Sequence, residues 1–232
     1  MRLTARRDPF LVGAVVALCV LSIALGAVQI KRYREFGRMR NVAASIETAR
    51  AVSPKLIGEV MPKALDVKAR GICQADYVKA ALTVVLTHLD QQNSEQDFDS
   101  WSAAMVNAEE IAKYAIGCSP TNGNFWLRLA MVRQAISEQS NELARLVQFS
   151  QLYAPAEEKV IGARYRLYNR VTAPTLALLG PTLASDLTVI CDRAQTAYRR
   201  RLPAPDMELQ AQISRLNPDC SIGPPVSRTS RR

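Results

Sequence analysis

A chain of 232 residues, 48% hydrophobic and 22% charged, has the length and apolar content for one or two cored domains, which excludes a collagen-like or largely disordered chain. Its net charge of +9 comes from 30 Lys and Arg against 21 Asp and Glu, and its single histidine argues against a His-based metal or catalytic cluster. The charge is concentrated: Arg2, Arg6, Arg7, Lys31, Arg32, Arg34, Arg38 and Arg40 meet only Asp8 and Glu35 in the first 40 residues, so two thirds of the excess flanks one apolar segment and points to a membrane rather than to nucleic acid.

That segment is FLVGAVVALCVLSIALGAVQI, 10–30, without a charge and with only Ser22 and Gln29 as clearly polar side chains. As a helix its 21 residues span roughly 30 Å, the thickness of a hydrocarbon core, with the backbone polar groups paired internally. A cleavable signal is the alternative, but its apolar region would be about 7–15 residues long and end in a small-residue site. Here the nearest such site, Ala24-Leu25-Gly26, is followed by the apolar Ala27 and Val28. The reading is a retained anchor contacting the bilayer through 10–30, with residues 1–9 as a cytoplasmic tail. Arg6-Arg7 before Phe10-Leu11 is one residue out of step for a twin-arginine signal.

Orientation has two opposed signals. Five basic residues follow the span against three before it, which places the body in the cytoplasm. Cys73, Cys118, Cys191 and Cys220 are an even set outside the span, which suits an oxidising compartment. The expectation is a single-pass protein of a bacterial inner membrane with its C-terminal body in the periplasm; a cytoplasm-facing body is the alternative.

Beyond the span no stretch alternates apolar and polar residues long enough for a strand, so the fold class is all-α. Residues 31–72 read as a basic juxtamembrane and helical connector. Within it 41–51 continues helically towards Pro54, and 55–69 is a helix that Pro62 is expected to bend or break. The next helix, 75–90, carries Tyr77, Ala80, Ala81, Val84, Val85 and His88 on one face, which makes His88 a helix-end or core-edge residue. Residues 101–117 place Met105, Ala108, Ile111, Ala112 and Ala115 at helical spacing, and SPTNG at 119–123 is a turn. Phe125, Leu129, Val132 and Ile136 stripe the following helix; Leu143, Leu146, Val147, Ser150 and Tyr153 stripe the one that Pro155 ends. A helix is expected over 156–171, interruptions at Pro174, Gly180 and Pro181, and helices over 183–200 and 206–216. Residues 221–232 read as a disordered basic tail.

Pro120 and Pro155 are 35 positions apart and enclose turn, helix, loop and helix, the unit of tetratricopeptide-like arrays. One hairpin of that kind buries its apolar face only by stacking on the next. Trp126, Leu129 and Ala130 match the early positions of the repeat; Ala108, Ala115 and Pro120 match the later half of the unit before it, while Arg133 stands where an aromatic is expected. Residues 73–220 are thus expected to form a helical domain of degenerate TPR-like hairpins. In the hairpin of 75–90 and 101–117, Cys73 opens one helix and Cys118 follows its partner, and Cys191 and Cys220 bracket the end of the chain. Among the three connectivities of four cysteines, the expected pairs are Cys73–Cys118 and Cys191–Cys220.

No G-x-S-x-G, nucleotide-binding glycine loop or H-E-x-x-H is present. Glu109-Glu110 and Glu157-Glu158 are adjacent, so on a helix each pair diverges by about 100° and does not flank one bond. No catalytic residue, metal ligand or cofactor is assigned, and a non-catalytic protein is expected; a glycan hydrolase with carboxylates from distant helices is the alternative. The binding candidates are Trp126, Arg128, Arg133, Tyr153, Arg164, Arg166 and Arg170, because arginine and large aromatics are favoured at interfaces. The competing reading is a set of solvated arginines on helix faces.

The apolar span 10–30, the stretch SPTNGNFWLRLA and its continuation LARLVQFSQLYAPAEEKVIGARYRLY resemble small single-span bacterial membrane proteins with a TPR-like domain, associated with exopolysaccharide or other cell-envelope polysaccharide production. The resemblance covers about residues 100–200. It implies an accessory or scaffold role in a membrane protein complex of the cell envelope, beside a polymerase, ligase or export machine. A secretion or division assembly is the alternative.

Overall fold

In the computed structural model residues 9–223 are described, with side-chain surroundings from Val12 onward; of the tails expected at 1–9 and 221–232, residues 1–8 and 224–232 lie outside the described residues, whereas Pro9 already starts a helix and Ile222 is buried. Every regular element among the described residues is a helix.

Helix α1 (Pro9–Glu47) runs unbroken for 39 residues through two different surroundings. Over its first half large apolar side chains such as Leu18, Ile23 and Ile30 are exposed, which is the all-round hydrophobicity of a segment long and apolar enough to cross a membrane. Past Ile30 the pattern becomes one-sided: Phe36, Met39, Val42 and Ala43, at helical spacing, are buried. Charged side chains on the flanks of that stripe meet the next two helices. Glu35 pairs with Arg70 at 2.6 Å and Lys63 at 3.3 Å, Arg38 with Glu59 at 2.5 Å, and Glu47 with Lys79 at 2.8 Å. The Arg70 hydrogen bond, with help from Lys63, holds the Glu35 carboxyl below its ordinary pKa. Solvent screens exposed pairs of this kind, so the buried stripe secures the contact.

Helix α2 (Pro54–Ala69) is capped by Ser53, whose hydroxyl accepts from the Leu56 amide, with Pro54 in the first turn. The break expected at Pro62 does not occur: α2 continues to Ala69. Pro62 and Gly58, whose carbonyl loses its partner, are both exposed, so that carbonyl is left on the solvent side rather than in the core. Helices α3 (Ala75–Asp90), α4 (Phe98–Cys118), α5 (Gly123–Ile136) and α6 (Ser140–Tyr153) follow as hairpins, each packed on its neighbour. In addition α1 packs on α3, α2 on α4, and α5 on α7 (Glu158–Tyr168), so odd and even helices form two layers. The chain closes with α8 (Ala173–Leu178), α9 (Gly180–Ile190), a 3-10 turn at Arg193–Gln195, α10 (Thr196–Arg201) and α11 (Met207–Leu216).

Two differences from the sequence reading lie here. Pro174 and Pro181 start α8 and α9 from their first turns, where no amide partner is needed, rather than merely interrupting the chain. The single helix expected over 183–200 is broken after Ile190, where the Asp192 carboxylate accepts from the Ala194 amide and starts a new turn.

One apolar cluster runs from Phe36 and Met39 through Val78, Ile111, Leu143 and Leu183 to Ile213. The connector 31–72 therefore packs into the same core as 73–220, and no gap in packing falls at residue 73. Cys73 is joined to Cys118 across the α3–α4 hairpin with Cα atoms 5.1 Å apart, and Cys191 to Cys220 at 5.6 Å. These are the pairs that the hairpin argument selects. Cys19 is unpaired and exposed on α1.

Candidate functional site

A cleft of about 590 Å³ follows the layer of odd helices, with walls from α1, α3, α5 and α7. Two adjoining hollows of about 300 Å³ and about 480 Å³ open between α3, α5 and α7, and between α5, α7 and α10. Arg128 of α5 lines all three, which makes it the centre of this surface. Arg166 of α7 lines two of them, and Arg170 faces Arg128 across the smallest hollow with Asp90 of α3 beside it.

The electrostatics of the cleft differ from the rest of the surface. Lys79 is neutralised by Glu47, but Arg128, Lys159, Arg166 and Arg170 have no ion pair among the described residues. Burial pushes the Arg128 guanidinium below its ordinary pKa, partly offset by the Asp90 charge and added to by Arg166. Burial likewise raises the Asp90 carboxyl, against the pull of Arg128 and Arg170. Glu47, Asp90 and Glu157 also line the cleft, yet none of them forms an ion pair with Arg128, so this half-buried cation keeps donors free for a carboxylate or another anion. No group of three or more metal-ligating side chains occurs among the described residues.

The structure separates the sequence candidates into three groups. Arg128, Arg166 and Arg170 come together in the cleft. Trp126 and Tyr153 do not: the Trp126 indole donates to the Pro120 carbonyl at 2.7 Å, and its ring lies 4.5 Å from Phe149, which stacks on Tyr153 at 6.3 Å. That aromatic row is on the α5–α6 side, with Phe149 and Tyr153 exposed. The other two arginines are structural. Arg133 binds Glu142 through Nε at 3.1 Å and Nη2 at 3.0 Å, and Glu109 through Nη1 at 3.3 Å, so it ties α4, α5 and α6.

Arg164 is the clear correction, since it is fully buried and no partner reaches it. All five of its N–H groups are used: Asp186 accepts from Nε at 2.8 Å and Nη2 at 2.6 Å, Ser150 from Nη1, and the Ala154 carbonyl from both terminal nitrogens. Burial opposes its charge, yet Asp186 outweighs that and raises its pKa. The Tyr168 hydroxyl completes the Asp186 shell at 2.8 Å.

Lys79, Asp90 and Lys159 are cleft residues that the sequence reading did not select. A signal for the first two existed: Lys79, Thr83, Leu86, Thr87 and Asp90 recur at helical spacing, a second stripe on α3 beside the apolar one.

No protein-family model matches the chain, and no curated protein or solved structure matches it significantly.

Proposed function

We propose that the protein is a non-catalytic, membrane-anchored scaffold of a bacterial cell-envelope assembly, with polysaccharide biosynthesis or export as the machine it serves, and that its TPR-like hairpins hold an acidic segment of a partner protein in the cleft around Arg128. The observation that carries this reading is the cluster of unpaired cations, Arg128, Lys159 and Arg166, in a cleft formed by four helices of one layer. A helical-hairpin stack offers such a cleft as a recognition surface, and the half-buried Arg128, with the exposed Lys159 and Arg166 around it, gains most from a carboxylate partner. The continuous α1 supports the anchoring role, since it joins the apolar segment to the core without a flexible joint and holds the cleft at a set orientation to the membrane. The two disulfides support an oxidising, periplasmic location for the body.

The test is a charge reversal in the full-length protein. Arg128→Glu with Arg166→Glu should abolish co-purification of polysaccharide polymerase or export components and lower polymer output, with membrane retention and both disulfides intact. Unchanged polymer output with loss of a secretion or division component would move the reading to those machines. Unchanged behaviour in all of them would remove the cleft from the function.

A further inference from the structure

A second crevice, of about 570 Å³, lies where α1 leaves its apolar half and the start of α3 comes alongside. Its walls are Gln29, Tyr33 and Arg40 of α1, with Gln74, Asp76 and Tyr77. The Gln74 side chain donates to Gln29 at 3.4 Å, so the α2–α3 turn sits level with the end of the apolar span.

Arg40 is unusual within this crevice. Tyr33 and Arg40 are seven residues apart, two turns of one helix face, and a helical side chain leans toward the N-terminus. The Arg40 guanidinium accordingly reaches back to the Tyr33 ring, 5.9 Å from its centroid, and the Tyr77 ring lies at 5.3 Å. Between two rings it makes a single hydrogen bond among the described residues, to Asp76 at 3.3 Å, and Asp76 itself is 78% exposed. Most of its five donors are thus held in place and uncommitted.

The depth of this group identifies what it meets, given the reading of α1 as a bilayer-spanning anchor. Tyr33 is three residues beyond Ile30, or ~4.5 Å along the helix. The headgroup layer extends roughly 5–7.5 Å beyond the hydrocarbon core on each side. The guanidinium beside the Tyr33 ring is therefore at the level of lipid phosphates, and the exposed Leu25, Val28 and Ile30 below it form the wall along which acyl chains lie.

We propose that this crevice binds one phospholipid headgroup of the phosphoethanolamine type, the phosphate on Arg40 and the ammonium on Asp76 beside the exposed Tyr33 ring. The present Arg40–Asp76 contact is long and its carboxylate exposed, so the two charges open to receive a headgroup of matching two-ended charge. The exposed Tyr33 ring adds cation–π attraction for the ammonium.

The experiment uses delipidated full-length protein in detergent, titrated by native mass spectrometry with dioleoyl phosphatidylethanolamine, dioleoyl phosphatidylglycerol, dioleoylglycerol or free phosphoethanolamine. The expected result is one tightly retained phosphatidylethanolamine, weakened about ten-fold by Arg40→Gln, the scale of one charge-assisted contact. Tyr33→Leu, at an exposed site that does not threaten the fold, should weaken it several-fold; Arg128→Gln should not. Asp76→Asn should remove the preference over phosphatidylglycerol. Retention unaffected by Arg40→Gln and Tyr33→Leu, or equal retention of dioleoylglycerol, overturns the site. Equal binding of free phosphoethanolamine overturns the lipid assignment, and no preference over phosphatidylglycerol in the wild type overturns the ammonium contact. Alkaline carbonate extraction separates the anchor from the site: release from membranes sinks the anchor, whereas an embedded protein that fails the lipid titration sinks only the crevice.

Discussion

Arg164 and Asp186 meet in the interior through two parallel contacts, 2.8 Å at Nε and 2.6 Å at Nη2, with neither side chain accessible to solvent. The pair lies where α6 ends, since the same guanidinium also serves the Ala154 carbonyl that closes that helix. Removing one member leaves a buried charge without its partner, which costs about 3–5 kcal/mol. Arg164→Met and Asp186→Leu should each lower the melting temperature by roughly ten degrees or more. The double variant should lose less than the sum of the two, and calorimetry of all four proteins reads the coupling. Strict additivity would show that the pair is not a unit.

Glu138 supplies a pH-dependent contact. Its carboxylate accepts from the Thr172 amide at 2.9 Å and hydroxyl at 2.6 Å, and from Thr175, so it fastens the α5–α6 loop to the first turn of α8. Burial alone would raise its pKa, but these hydrogen bonds prevail and hold it below the ordinary 4.5. A depressed acid stabilises the fold above its unfolded pKa and loses that stabilisation as pH falls through the folded value. Glu138→Gln should therefore cost about 1.5–3 kcal/mol at pH 7 and progressively less below about pH 4.5. Denaturant melts at pH 7 and pH 3.5 that differ from wild type by the same amount would contradict this.

The two disulfides close loops of 45 and 29 residues. Loop-entropy arguments give about 4 kcal/mol for the longer and about 3.5 kcal/mol for the shorter. Cys73→Ser with Cys118→Ser should be the more destabilising pair, and reductant should lower the wild-type melting temperature while leaving the four-serine variant unmoved.

Truncation tests whether α1 belongs to the domain. A chain starting at residue 32 should fold as the soluble body, because the buried stripe Phe36, Met39, Val42 and Ala43 is kept. A chain starting at residue 48 loses that stripe and uncovers Tyr77, whose ring packs on Phe36 at 5.5 Å, at about 1.5–3 kcal/mol for each large side chain, and should unfold or aggregate. A chain from residue 48 that melts like the one from residue 32 would show that α1 only tethers.

Gly123→Ala is expected to destabilise through backbone crowding. A Cβ there would stand 2.5 Å from the Ser150 carbonyl oxygen and 2.8 Å from the Ala154 amide nitrogen, neither of which is a flexible side-chain tip. Overpacking of this kind costs about 1–3 kcal/mol, readable as a lowered urea midpoint. The same substitution at exposed Gly117, with nothing within 4 Å of the added atom, is the control.

Local and covalent information was sufficient for much of this protein. Hydrophobic periodicity placed α3 at 75–90 and a last helix at 206–216. The apolar run marked the long span because a bilayer imposes a length. Once the α3–α4 hairpin is read, chain geometry brings Cys73 to Cys118. Three of the cleft arginines were also legible as candidates, since their types and positions stand in the sequence.

Tertiary structure alone decided which arginines are which. Arg164 and Arg166 are two residues apart and alike in chemistry, yet one is fully buried and the other lines the cleft. On a helix two residues turn the side chain by about 200°, so opposite fates are natural, but which face is inside depends on α9 arriving with Asp186 from 22 residues away. Pro62 left α2 intact because it lies on the face that nothing covers. Arg128, Arg166 and Arg170, likewise, differ from Arg133 in having no carboxylate within ion-pair distance among the described residues, a fact about neighbouring helices that no local pattern encodes.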